Sequence, residues 1–400
     1  MGSHIGANIR RERGRRGWSQ ERLAREICRG AGVVGEPVGR QEVSRWEQGK
    51  RTPRQWLPFI AAALGVPVGV LMEPRKPDEP PLPALADFLP DDDPLAPLGA
   101  RAGRRVGMGQ VGDLQKRVHG LRLADDVLAG GDLIRPALRE LRAAVRVYKE
   151  GAHSGEVGRA LLRQIGELAQ IAGWIASDAG QHVDAERVYR LGISAAMQAD
   201  DRTLAGNLAG SLAYQLSNTG REIEGAQLAQ AALDGAEPDA PPKARALYLD
   251  RVAWAHTKAG ETQSAMRALG EAGEALAADS AGAESPAYLY WVDAGELRVM
   301  ESRVHTELRR PLRAVPLLRD VLGRYDTTHT RELALYLSWL AVALADANEP
   351  EEAAATAERV ITLSATVASN RTAARVRVVL KRLEGYRDVP EVRAVLDGAA

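Results

Sequence analysis

Glycines 180, 220 and 260 stand forty residues apart, each after an Ala or Thr and each between two long helix-forming runs. Small residues recur seven positions before each stop (Gly173, Ala213, Ala253) and five after it (Ala185, Gly225, Ala265). A left-handed stop between two helices makes a helical hairpin, and small side chains are needed where its arms touch. A single hairpin cannot bury its apolar face, so neighbours must stack. Asn348 takes the glycine's part later, with Ala341 and Ala353 in the matching places. A further pair fits around 287–325, with Ala314 as its small residue. The chain is thereby committed to a one-dimensional stack of helices over much of its length.

The remaining composition agrees. Ala, Leu, Arg and Glu dominate the body, and β-branched residues seldom alternate, so the expected class is all-α with essentially no sheet. A chain of 400 residues exceeds one compact core. The spacing predicts a head at 5–73, a Pro-rich linker and entry segment at 74–120, and a repeat body at 121–397. The formal net charge is zero, yet residues 1–75 hold fourteen Lys/Arg against seven Asp/Glu. A basic head on an acidic body suits a polyanionic partner, although a solvated basic surface has the same composition. Cys28 is the single cysteine, which fits a reducing, cytoplasmic setting; it reads as a small buried apolar residue. No apolar run reaches the ~18 residues of a membrane span, and no signal peptide is visible.

Five short helices can be placed in the head. The first spans Gly6 to Arg16. Ser19 caps the second, which turns Leu23, Ala24 and Ile27 inward. The third runs from Arg40 to a stop at Gly49. Pro53 starts the fourth, with Trp56, Leu57, Ile60 and Leu64 inward and Pro58 placed to kink it. Gly65 stops it, and a fifth covers Val68 to Met72. Residues 40–53 read R-Q-E-V-S-R-W-E-Q-G-K-R-T-P. Arg can bridge guanine O6 and N7, and Gln can pair with adenine N6 and N7.

W-S-Q-E-R-L-A at 18–24, V-S-R-W-E at 43–47 and G-K-R-T-P at 49–53 resemble the lambda-repressor/Cro-like, or xenobiotic-response-element type, helix-turn-helix family. The resemblance implies that the third helix enters the major groove of double-stranded DNA. Arg40, Gln41, Ser44 and Arg45 would then face base edges. Gln20, Lys50, Arg51 and Arg54 would hold phosphates, helped by the N-terminus of the second helix. Arg13 and Glu47 match a buried ion pair tying the first helix to the third, a structural role whose loss costs roughly 3–5 kcal/mol. One departure stands out. The crossing from Arg29 to Gly39 is longer than the family's, and Gly39 replaces a capping Ser or Thr.

Pro-rich sequence from Glu73 onward predicts an extended tether over 74–105. Gly107 to Gly112 matches G-x-G-x-x-G, but no strand precedes it, so it reads as an entry into the helical body rather than a nucleotide loop. Asp125-Asp126 reads as a solvated pair.

The repeat pattern resembles the tetratricopeptide repeat over roughly 160–366, with longer units than usual. The expected architecture is a five-helix helix-turn-helix head plus a tetratricopeptide-like α-solenoid. The resemblance implies an inner groove lined by Glu167, Gln170, Trp174 and Asp178, then Asn207, Tyr214 and Asn218, then Asp250, Trp254 and Lys258. Amides and aromatics in such a row suit an extended peptide. Trp174, Tyr214 and Trp254 can equally be packed between units.

The whole chain resembles helix-turn-helix plus tetratricopeptide regulators of high-GC actinobacteria. That implies a homodimeric transcriptional regulator with a peptide or small-molecule effector. A scaffold acting mainly through a protein partner is the alternative. No catalytic constellation, metal-ligand spacing or phosphate-binding G-x-x-x-x-G-K is present, so neither an enzyme nor a cofactor is expected.

Overall fold

The computed structural model describes residues 3–16, 18–32, 37–72, 85–88, 103–128, 130–236, 240–279, 285–325, 329–367 and 369–399. Among them lie nineteen α-helices and no strand. The chain divides into two compact units, Met1–Leu82 and Pro83–Ala400.

The first unit contains α1 (Ser3–Arg15), α2 (Gln20–Ala31), α3 (Arg40–Glu47), α4 (Leu57–Ala63) and α5 (Val68–Met72). Ile9, Leu23, Ile27, Val43, Ile60, Leu64 and Leu71 form a core closed to solvent. Cys28 is buried with them. The Ser19 hydroxyl accepts from the Arg22 N–H at 3.1 Å, satisfying a donor left free at the start of α2. Gly32 ends α2 at φ 63°, so part of the long crossing is helix, and residues 33–36 of it lie outside the described residues. Gly49 and Gly65 sit at φ 70° and 56°, the left-handed stops expected of them. α1 lies so close to α3 that a Cβ on Gly6 would stand 2.0 Å from the Trp46 carbonyl oxygen. The fourth helix differs from expectation. Pro53 to Trp56 form a turn and α4 begins at Leu57, so Pro58 falls in the first turn. A missing N–H is harmless there, and no kink follows.

The second unit is an α-solenoid. α6 (Met108–Val127) and α7 (Gly130–Glu150) lead into α8 (Gly155–Asp178) with α9 (His182–Gln198), and α10 (Arg202–Asn218) with α11 (Glu222–Ala236). There follow α12 (Pro242–Lys258) with α13 (Thr262–Ala277), α14 (Ala294–Glu307) with α15 (Pro311–Leu322), and α16 (Thr330–Asp346) with α17 (Pro350–Ala365). α18 (Asn370–Leu383) and α19 (Pro390–Gly398) end the stack. Gly180, Gly220, Gly260 and Asn348 hold their turns at φ 77°, 85°, 78° and 63°. The α14–α15 turn has no glycine; Arg309 adopts φ 55° instead and donates to both Asp346 carboxylate oxygens at 2.9 and 3.0 Å. Within a hairpin the small residues permit contact: a Cβ on Gly173 would meet the Tyr189 ring at 2.6 Å.

Three expectations are corrected here. The tether is not wholly extended, because Leu85–Phe88 form a short 3₁₀ turn and Phe88 is buried in the body core. Its carbonyl accepts from Arg190 Nη1 at 2.6 Å. The entry segment is already helical from Met108. Gly107 precedes α6 and donates its N–H to Gln110 Oε1, while Gly109 and Gly112 lie inside the helix. Asp125 and Asp126 are not a solvated pair. Asp125 is buried against Arg331 of α16, and Asp126 accepts from the Tyr290 hydroxyl at 2.7 Å.

Those contacts close the stack on itself. Arg331 reaches α6 from the fifth hairpin. At the α8 C-terminus, Ser369 Oγ donates to Asp178 Oδ1 at 3.0 Å and Asn370 Nδ2 to the Ala179 carbonyl at 2.6 Å. First and last hairpins therefore meet, and the inner helix faces surround a cavity.

Candidate nucleic-acid face and repeat cavity

Val43 and Trp46 anchor α3 in the first core at 0% and 3% exposure, which leaves its other face outward. Arg40, Gln41 and Arg45 are exposed on that face, while Ser44 is half-buried and its hydroxyl accepts from Gln48 Nε2 at 3.2 Å. Lys50, Arg51 and Arg54 are exposed on the segment after the Gly49 turn. Gln20 is half-buried, and its Nε2 donates to Glu47 Oε2 at 2.7 Å.

The base of α3 is held by charge. Arg13 meets Glu47 through two bonds, Nε to Oε1 at 2.6 Å and Nη2 to Oε2 at 3.1 Å. The Glu47 side chain is 0% exposed, and Arg13 also donates to the Trp18 carbonyl. α1, α3 and the start of α2 are thus pinned at one point. Sequence reasoning missed Glu42. It accepts from Arg45 Nη1 at 2.7 Å and from Arg51 Nη1 at 3.2 Å, holding two outward arginines together. Its one sequence signal was the three-residue spacing to Arg45 on a helix.

The body holds a partly open cavity of about 740 Å³. Gln170, Trp174, Asp178, Asn207, Tyr214, Asn218 and Lys258 line it. The other three expected groove residues do not. Glu167 accepts from Arg122 at 2.8 Å, and Asp250 is buried beside Arg251 at 3.5 Å. Trp254, 3% exposed, lies in the wall between Tyr214 and Trp339. The rings stack from hairpin to hairpin, and Trp174 and Tyr214 also face the cavity. Centroid separations are 5.8 Å for Trp174–Tyr214, 6.0 Å for Tyr214–Trp254 and 5.7 Å for Trp254–Trp339.

Arginines cover this ladder. Arg371 stands 5.0 Å from the Trp174 centroid and Arg251 4.8 Å from Tyr214. Arg303 stands 4.5 Å from Trp254 and 5.3 Å from Trp339, and Arg375 stands 3.6 Å from Trp339. Such stacking offsets part of the cost of burying a guanidinium. Burial opposes ionisation of the Tyr214 phenol, but Arg303, Arg371 and Arg251 outweigh it and hold the group below its ordinary value. Burial pushes Arg375 down to about 10, leaving it charged at neutral pH. Burial also raises Asp250 and Glu296, against the pull of neighbouring arginines. Arg303, Arg371 and Arg375 were not legible in the repeat register, since they come from α14 and α18, beyond the units whose pattern was clear.

A family model described as a helix-turn-helix domain matches residues 4–73. The chain thus carries an N-terminal helix-turn-helix domain, the fold of DNA-binding regulators, ahead of its helical repeats. A search of curated proteins finds no match to the chain. Among the described residues, no helix is long and apolar enough to cross a membrane.

Proposed function

We propose that this chain is a sequence-specific transcriptional regulator of the lambda-repressor/Cro-like type. It acts as a homodimer, and its tetratricopeptide-like body senses a ligand. The outward face of α3 carries the reading. Arg40, Gln41 and Arg45 have the side-chain chemistry that distinguishes base pairs in the major groove, and the Arg13–Glu47 anchor fixes their helix. Lys50, Arg51 and Arg54 supply the cations that neutralise phosphates. One such head reads a short half-site, so two heads about 34 Å apart are needed for useful affinity.

The partly open cavity supports ligand sensing and narrows it. First-to-last contacts around a chamber of about 740 Å³ suit a small molecule or a short peptide better than a long extended chain. A ligand alters DNA binding only if it binds two conformations with different affinity. Genomic immunoprecipitation followed by gel shifts on the recovered fragments tests the regulator reading. A defined motif with two spaced half-sites is expected. Equal binding to recovered and random fragments would remove it.

A further inference from the structure

Resting on the reading of the cavity as a ligand site, we propose that its ligand is a small organic oxyanion with an apolar body. Its charged group sits at Arg303 and Arg375. Among the described residues, each carboxylate of the chamber already has a partner. Asp125 and Glu332 bind Arg331 at 3.1 and 2.8 Å, and Asp178 lies 3.5 Å from Arg371. Glu307 lies 3.5 Å from Lys258, Asp126 accepts from Tyr290, and Glu296 accepts from Tyr336 at 2.7 Å.

Arg303 and Arg375 are different. Neither lies within 4.0 Å of a carboxylate among the described residues. Arg303 is 8% exposed and donates only to the Tyr214 hydroxyl at 2.6 Å and to Met300 Sδ at 3.4 Å. Arg375 donates through Nε to Ser338 Oγ at 3.0 Å. Arg303 Nε and Arg375 Nη2 are buried without a hydrogen-bond partner. Both guanidiniums line the chamber and both stand against Trp339. A buried and a half-buried cation converge on one ring with donors to spare. Asp250 and Glu296 act on Arg303 from farther off, whereas burial disfavours the charge of Arg375. A carboxylate, sulfonate or phosphate between them relieves that cost and matches the planar fork. Trp339, Leu335 and Ile171 offer apolar surface to the remainder of the ligand.

The test uses the full-length protein and two matched fluorescent probes. One is 8-anilinonaphthalene-1-sulfonate; the other is N-phenyl-1-naphthylamine, the same molecule without the sulfonate. Saturable binding of the sulfonate, with the neutral amine much weaker, is expected. Arg375→Gln should weaken the sulfonate about ten- to hundredfold and leave the amine unchanged. Arg375→Lys, which keeps the charge, should recover part of the loss, and no recovery counts against charge as the cause. Should Arg375→Gln fail to fold, the ratio of the two probes on the natural sequence still decides. Equal binding of both probes overturns the oxyanion while leaving a ligand chamber. Binding of neither removes the chamber reading and this inference with it. Displacement of the sulfonate by free acids but not by their amides supports the proposal. Arms with short peptides and with aromatic acids separate a peptide terminus from a metabolite. Equal displacement by acids and amides overturns it.

Discussion

Arg331 and Asp125, 206 residues apart in sequence, meet through two parallel hydrogen bonds of 3.1 and 3.2 Å, with side chains 5% and 7% exposed. This pair joins the fifth hairpin to the entry helix, and Asp178 lies 3.9 Å from the same guanidinium. Arg331→Met strands buried carboxylates and should cost the body about 3–5 kcal/mol. Adding Asp125→Asn removes one stranded charge, so the double variant should lose less than the sum of the two single losses. Denaturant unfolding followed by tryptophan emission measures both. Additive losses would show that the pair does not act as a closure.

The Arg13–Glu47 pair is lopsided. The Glu47 side chain is 0% exposed and that of Arg13 17%. Arg13→Met leaves a carboxylate shut from water with Gln20 as its main remaining partner. Glu47→Gln leaves a guanidinium that can turn outward. The first variant should therefore destabilise the helix-turn-helix unit more, by about 3–5 kcal/mol against roughly half that. Hydrogen exchange of the α1 and α3 amides gives the ranking. The reverse order would contradict the exposure argument.

What was legible in the sequence was local. Ser19, Gly49, Gly65 and the repeat glycines act on their own turn, so residue type alone places them. The small residues of each hairpin follow from spacing, because a hairpin's arms are near neighbours in the chain. Arg309 was missed at its turn because any residue can adopt a left-handed conformation when a tertiary contact offsets the strain, and its partner Asp346 lies in the next hairpin. The cavity arginines were missed for the same reason. Arg303 and Arg375 gain meaning only when α14 and α18 are brought to one tryptophan. The bond from Gln20 to Glu47 was not legible either, because a half-buried amide at a helix start serves a buried carboxylate as well as a phosphate, and pattern does not tell these apart.

Acidity should tune the chamber. Burial raises Asp250 and Glu296 above their ordinary values of 3.8 and 4.5, although Arg303 and Arg251 act to lower both. Their native forms hold protons more tightly than the unfolded chain. Their contribution to stability is therefore full below the ordinary values and is lost as pH rises through the raised native ones. The same protonation leaves Arg303 less compensated. Affinity for the sulfonate probe should rise as pH falls from neutrality toward the ordinary carboxylate range. Glu296→Gln should raise affinity at the upper end and flatten the profile. A profile unchanged by this substitution would show that Glu296 does not oppose the anion.

Glu42 makes the DNA face testable in a way that deleting cations does not. It holds Arg45 at 2.7 Å and Arg51 at 3.2 Å in the free protein, so each arginine must leave a carboxylate before it reaches DNA. Glu42→Ala removes a negative charge from the approaching surface and frees both guanidiniums. Affinity for all sequences should rise, and the slope of log affinity against log salt should steepen by about one phosphate's worth. Arg40→Ala should instead cost about 1–3 kcal/mol on the preferred site and relax base choice at one position. Lys50→Ala should weaken every sequence alike. Titrations of a preferred and a random duplex over a salt series separate the three. A Glu42→Ala protein that binds more weakly would mean that Glu42 itself touches DNA, accepting from a cytosine amino group. That loss would then be confined to the preferred duplex.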